Sequence, residues 1–176
     1  DPPLESPILI GIVKAMYGAT KIINIENAYF VALPVVNKAI LDARARGVEV
    51  NILTNSKESI DPEGKVIVDA VYKCLIPLAG SGANIYVYKG DTLHSKFMTV
   101  DGIFADIGSY NLHPRGERYD TEVNVNIIDP VSTAQLDEAF YKDIARSRLI
   151  KSAEELGEKP GWLSTKSTAL PFWRPC

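Results

Sequence analysis

His94 and Lys96 stand two residues apart in the run HSKFMTVDGIFADIGSYN, positions 94–111. Alternating residues of an extended segment project from one face, so this spacing puts an imidazole and an ammonium side by side. An imidazole nitrogen can attack phosphorus, and an ammonium beside it can hold the phosphoryl oxygens and the charge that develops on them. Asp101, Gly108, Ser109 and Asn111 follow, completing H-x-K-x4-D-x6-G-S-x-N. A hydroxyl and an amide two apart, on a loop after a strand, can donate to phosphate oxygens or orient the imidazole. The plain alternative is a strand with a surface His and Lys. Six residue types at fixed gaps arise by chance roughly once per 10^7 start positions, which favours the chemical reading.

Around these residues the composition is that of an ordinary globular chain. The 176 residues are 46% hydrophobic and 23% charged, with a net charge of −3. That length fits one domain, or one with an appendage, and suffices for a sizeable core. The acidic balance gives no global signal for nucleic acid, although a local basic patch stays compatible with it. Two cysteines, Cys74 and Cys176, give no disulfide framework to read, and Cys74 falls in an apolar, helix-like stretch that suggests a core position. The chain opens Asp-Pro-Pro rather than with Met and a basic segment. No signal peptide is read from it, and the expectation is an excised domain or a processed chain. The apolar run Ile8–Val13 is too short to span a bilayer, so any membrane contact is expected to be peripheral or to come from another segment.

The elements that must position the motif can be read from periodicity. Ile8–Tyr17 has helical spacing, with Ser6 as cap and Pro7 at a first helical position. Lys21–Glu26, Val48–Thr54, Ala83–Tyr88 and Thr121–Ile128 read as strands. Leu33–Arg46 reads as a helix stopped by Gly47, and Ala134–Ser147 as another. Pro62–Ala79 is largely helical, with Pro77 bending or ending it. Thr92–Val100 and Ile103–Ile107 read as strands joined by the Asp101-Gly102 turn. The proline- and glycine-bearing tail from Gly157 is expected to run over the surface. Strands alternating with helices predict an α/β fold, and no internal repeat is found.

The motif resembles the HKD motif of the phospholipase D superfamily. The resemblance extends on both sides of it. Ala28–Asn55 (AYFVALPVVNKAILDARARGVEVNILTN) is similar to the segment that precedes the motif in that superfamily. Asn111–Glu122 (NLHPRGERYDTE) resembles the Asn-Leu-Asp-Pro-Arg-Ser-x-Arg-x-Asn-x-Glu pattern of bacterial cardiolipin synthases. The likeness covers about Ala15 to Ile144 and is closest to the C-terminal half of such an enzyme. Three positions depart from the pattern: His113 for Asp, Gly116 for Ser and Asp120 for Asn. They spare the phosphate-handling residues and bear on alcohol or acyl-glycerol specificity.

The resemblance implies a phospholipase D-like α/β sandwich, with a mixed, mostly parallel sheet flanked by helices over residues 1–156 and a surface tail over 157–176. It implies phosphodiester cleavage or phosphatidyl transfer through a phosphohistidine, with no metal and no cofactor. The candidate catalytic residues are His94, Lys96, Asp101 and Glu122. For Asp101, a role in the turn competes with a catalytic one. Glu122 would accept a hydrogen bond from a catalytic His of the constellation, fixing its tautomer. Lys96, Ser109, Asn111 and Arg115 would bind phosphate, with Arg118 a further candidate. His113 is expected to be a loop residue. Tyr29 and Phe30 would line the substrate mouth or pack in the core.

Only one such motif is present, and half a site cannot run both chemical steps. A second motif is therefore expected from a missing N-terminal half or a homodimer partner. The leading reading is a bacterial, membrane-associated enzyme of the cardiolipin synthase type acting on phospholipid. The alternative is a single-motif homodimeric phosphodiesterase or endonuclease. The acidic balance favours the first, because nonspecific nucleases usually bring a basic channel. A third reading, a binding domain with a relic motif, is opposed by the intact His94, Lys96, Ser109 and Asn111.

Overall fold

The computed structural model describes residues 6–62, 64–118 and 120–157. Helix α1 (Pro7–Gly18) begins where the sequence places it: the Ser6 hydroxyl accepts from the Leu9 amide at 3.3 Å, and Pro7 opens the first turn. Strand β1 (Ile22–Asn27) leads to helix α2 (Pro34–Ala45) and strand β2 (Glu49–Asn55). Gly47, at φ +85°, makes the left-handed step that releases the chain from α2 into β2. Helix α3 (Val68–Gly80) and strand β3 (Asn84–Tyr88) complete a second crossover. Pro77 sits inside α3 without ending it. Leu75 and Leu78, each 0% exposed, bury the helix face on either side of the proline. That burial offsets the backbone bond that proline removes.

Strand β4 (Lys96–Val100) and strand β5 (Phe104–Gly108) form the expected hairpin. Its turn holds Asp101 at φ 54° and Gly102 at φ 69°, the pair of left-handed conformations for which Asp-Gly is suited. The short helix α4 (Pro114–Arg118), strand β6 (Asn124–Ile128), helix α5 (Pro130–Ala145) and strand β7 (Ser147–Leu149) follow.

The seven strands lie in the order β6-β5-β4-β1-β2-β3-β7. Among the described residues, only β1–β2 and β2–β3 pair in parallel, and the other four pairings are antiparallel. The sheet is mixed, as expected, but parallel pairing is a smaller part of it than expected. Parallel pairing is confined to β1, β2 and β3, which helical crossovers join, whereas the Asp101-Gly102 turn makes β4 and β5 antiparallel. Ile23 and Ile25 of β1, Val50 and Ile52 of β2, and Met98 and Val100 of β4 share one core with α1, α2 and α3, where Cys74 is also buried. The opposite face is smaller: Leu53, Tyr88, Leu93 and Phe97 gather around Phe140 of α5. Of the expected surface tail, residues 158–176 lie outside the described residues.

Candidate active site

The carboxyl ends of the central parallel strands are where α/β sheets present ligand sites. Here β1 and β2 each end in a buried asparagine, Asn27 at 3% and Asn55 at 1% exposure. Asn27 donates to the Tyr110 carbonyl at 3.2 Å and accepts from the Leu112 amide at 3.2 Å. It thereby pins the loop bearing Ser109 and Asn111. Asn55 donates to the Leu93 carbonyl at 2.8 Å and accepts from the Leu93 amide at 2.9 Å. It also donates to the Ala28 carbonyl at 3.0 Å. Leu93 directly precedes His94, so this amide fixes the entry to the motif.

The Asn55 bonds also correct the extent of β4. The strand begins at Lys96, not Thr92, and His94 lies exposed on the segment before it. An asparagine side chain has taken the backbone groups of Leu93 that strand pairing would have used. His94 and Lys96 still meet. Lys96 Nζ donates to the His94 carbonyl at 2.6 Å and lies 3.3 Å from His94 Nδ1. Lys96 is 7% exposed. Burial pulls its pKa below the ordinary lysine value, and the charges of Glu122 and Asp61 oppose that pull.

Across from this pair, the Ser109 hydroxyl donates to Glu122 and accepts from the Val123 amide at 3.0 Å. Glu122 thus accepts from Ser109 in this chain, rather than from His94. The Asn111 Oδ1 atom is buried with no partner among the described residues. His94, Lys96, Ser109, Asn111 and Glu122 surround one open pocket of about 430 Å³. Gly108 is required there by space, since a Cβ would collide with the Val123 carbonyl and the Asn124 side chain.

Asp101 is not brought to this pocket. It sits beyond the far end of β4, about 15 Å away at the rise of an extended chain. Its carboxylate accepts from the amides of Thr20, Lys21 and Ile22 and from the Thr20 hydroxyl, at 2.8 to 2.9 Å. Burial alone would raise its pKa. The bonds from Ile22, Thr20 and Lys21 outweigh that and hold it below the ordinary range. The catalytic expectation for Asp101 therefore gives way to its turn role.

Arg115 is also directed elsewhere. Its Nε pairs with Asp120 at 2.9 Å in an exposed ion pair, and it does not line the pocket. The side chain of Arg118 lies outside the described residues. His113 is the loop residue expected, with a specific use: its Nδ1 accepts from the Gly116 amide at 3.0 Å, capping α4. A Cβ at Gly116 would come within 2.7 Å of the Asn111 carbonyl. The replacements at 113 and 116 are thus parts of one tight turn. Burial lowers the His113 pKa. Tyr29 stands edge-on to His94 with ring centroids 6.2 Å apart, and its hydroxyl donates to Asp61. Phe30, at 0% exposure, is core.

Asn27, Asn55 and the Ser109–Glu122 bond escape a reading of the motif alone. Nothing in the local pattern set the two asparagines apart, since both strands carry other polar residues, Asn24 and Glu26 in β1 and Glu49, Asn51 and Thr54 in β2.

Comparison with known proteins places the chain in a family. Residues 12–144 match the family described as "Cardiolipin synthase, PLD-like domain". The chain is 34% identical to cardiolipin synthase 1 of Staphylococcus epidermidis over 140 residues, which is 80% of this chain and 28% of that protein. It is 28% identical to the cardiolipin synthase of Listeria monocytogenes over 165 residues, 94% of this chain and 33% of that one. The chain thus spans a third or less of the length of these relatives. Among solved structures, the phosphatidylserine synthase of Haemophilus influenzae superposes with a TM-score of 0.71 at 19% identity, over 88% of this chain and 39% of that one. Nuc of Salmonella typhimurium, a phospholipase D family member, gives 0.69 at 22% identity, over 86% and 95%. Among the described residues, no helix is long and apolar enough to cross a membrane.

Proposed function

Because the chain belongs to the cardiolipin synthase, phospholipase D-like domain family, we propose that it supplies one half of a phosphodiester-cleaving site that transfers phosphatidyl groups. The observation that carries this reading is the convergence of His94, Lys96, Ser109, Asn111 and Glu122 on one pocket. A nitrogen of one imidazole attacks phosphorus, and a phosphohistidine forms as the P–O bond to the leaving alcohol breaks. An imidazole from the second half gives that alcohol its proton. The same imidazole then takes a proton from the acceptor, water or an alcohol, whose oxygen displaces the first imidazole. Lys96 and the Asn111 amide hold the non-bridging oxygens, where charge accumulates.

The ammonium beside His94 Nδ1 has only hydrogens to offer, so Nδ1 acts as the acceptor in this half alone. A carboxylate delivered by the second half, the counterpart of Glu122, would draw the ring proton to Nδ1 and free Nε2 for attack. The second half comes from the remainder of a longer protein or from a second copy of this chain. Residues 1–156 form the folded half-site in this reading.

One observation favours a second reading, a homodimeric phosphodiesterase acting on nucleic acid. The chain superposes over 95% of Nuc and 91% of NucT of Helicobacter pylori, so this half alone matches nearly all of each of those chains. One experiment separates the two. The purified protein is sized in solution and assayed against phosphatidylglycerol vesicles and against plasmid DNA. Transfer or hydrolysis of the lipid, lost in H94A, supports the first. DNA cleavage by a dimer with the lipid untouched supports the second, and no turnover of either substrate by an assembly that holds both halves overturns both.

A further inference from the structure

A carboxyl lies buried directly behind the motif. Glu26 of β1 is 1% exposed. Its register partners are Leu53 on β2 and Phe97 on β4. Both belong to the apolar cluster around Phe140 of α5. One oxygen, Oε1, accepts from the Ser95 hydroxyl. The other, Oε2, is buried with no partner among the described residues.

An ionised carboxylate so placed would be costly, because half of it would face apolar side chains without a donor. The charges on that side of the sheet do not relieve it. From α5 come Asp143 and Asp137, the latter occupied with Asn24 and Thr99. Arg146 stacks over the Tyr88 ring instead, 5.5 Å from its centroid. None of the ion pairs among the described residues includes Glu26. Burial raises its pKa most, the Ser95 bond lowers it and Asp143 raises it further, for a balance at about 7.

The position of Ser95 gives this carboxyl its significance. Ser95 is the residue between His94 and Lys96 and reaches toward the α5 side, while Lys96 stands in register with Asn27. We propose that Glu26 is a positioning residue that acts through the Ser95 hydroxyl to hold His94 and Lys96 in their relative placement. Asn55 fixes the backbone before the motif, and Glu26 fixes its middle. A glutamine preserves the acceptor and the neutral shape, whereas an alanine removes the acceptor and leaves a cavity.

The test has two arms, and only the second rests on the reading of the site as a phosphodiester-cleaving half. In the first, the amide resonances of Ser95 and Lys96 are followed by NMR from pH 5 to 9 in the parent and in E26Q. An inflection near pH 7 in the parent that vanishes in E26Q is the expected result. Its absence from the parent overturns the proposal. The second arm measures kcat and KM in the active assembly for E26Q, E26A, S95A and the E26A/S95A double variant. E26Q should stay within about threefold of the parent. E26A should lose about tenfold in kcat with KM unchanged, and the double variant should lose no more than E26A, because both act through one bond. Additive losses, equal losses in E26Q and E26A, or parental kcat in E26A overturn the proposal. A parent inactive on every phosphodiester overturns the functional reading alone and leaves the first arm to decide.

Discussion

Strand β4 carries motif residues beyond or at both ends, and the two ends are built in opposite ways. At the His94–Lys96 end, polar groups are left partly unspent. His94 is exposed, and the nearby Asn111 Oδ1 has no partner among the described residues. At the Asp101 end, both carboxylate oxygens are in use, with three backbone amides and a hydroxyl donating to them. A group that must bind a transition state needs hydrogen-bonding capacity in reserve. A group that holds a fold has spent it. One sequence motif therefore spans a reactive end and a structural end, and its spacing does not distinguish them.

The largest test of that contrast is H94A. Turnover in the active assembly should fall by about 10^3-fold or more, since no other group in this half offers a nitrogen to phosphorus. The thermal midpoint should move by no more than about 2 °C, because the imidazole is exposed and buries little. A large drop in midpoint would break the assignment of this end as reactive. E122Q ranks next. Its amide keeps the shape and can still accept from Ser109, but it neither stabilises an imidazolium nor fixes its tautomer. The expected loss in kcat is about 10- to 100-fold at constant midpoint. Parental activity with a lowered midpoint would move Glu122 to the structural side of the comparison.

At the other end, D101A should show the reverse signature. Four donors lose their acceptor, and an alanine must adopt a left-handed φ that Asp tolerates better. The expected cost is about 2–3 kcal/mol in denaturant unfolding, with kcat per folded molecule unchanged. The Asp101 carboxyl titrates below its ordinary range when folded, so its contribution is present above the unfolded pKa and is lost as pH falls through the folded one. In D101A that acid-side loss should be missing. A selective fall in kcat would restore a catalytic role to Asp101.

The reactive end was more legible in the sequence than the apparatus that supports it. His94, Lys96, Ser109 and Asn111 sit at positions whose spacing suggested phosphoryl chemistry, Glu122 came from the family resemblance, and the fold brings all five to one pocket. Most strands and helices were legible from apolar periodicity. What escaped was decided by contacts between segments remote in sequence. Thr92 to Ser95 look extended, but Asn55, almost forty positions earlier, supplies their nearest pairing. Strand β7 has three residues and exists because β3 offers it an edge. Pro77 signals a helix end, and the burial of Leu78 overrules it. Glu26 looks like a polar residue closing a strand, and only the packing of α5 over it shows that it is dry.

The smallest predicted effect lies between the two ends. Asp106 of β5 stands opposite Met98 in the middle of β4 and is 3% exposed. Its carboxyl accepts from Asn124 at 2.5 Å, and burial outweighs that bond, raising its pKa to about 6. The folded protein therefore holds this proton to a higher pH than the unfolded chain does. Where the native state binds more protons, stability falls as pH rises. The contribution is complete below the ordinary aspartate pKa and is gone above about pH 6. For a displacement of this size it amounts to about 1–3 kcal/mol. D106N keeps an oxygen to accept from Asn124 and removes the titration, so its unfolding free energy should be flatter between pH 4 and 6. Glu26 should leave a residual slope that continues to about pH 7 in the same variant, since its carboxyl is raised further. Unfolding measured across pH 4–8 in the parent, D106N and E26Q would assign each part of the slope. An unchanged slope in D106N would mean that water reaches the middle of the hairpin, and that its buried acid behaves like the exposed residues at the reactive end.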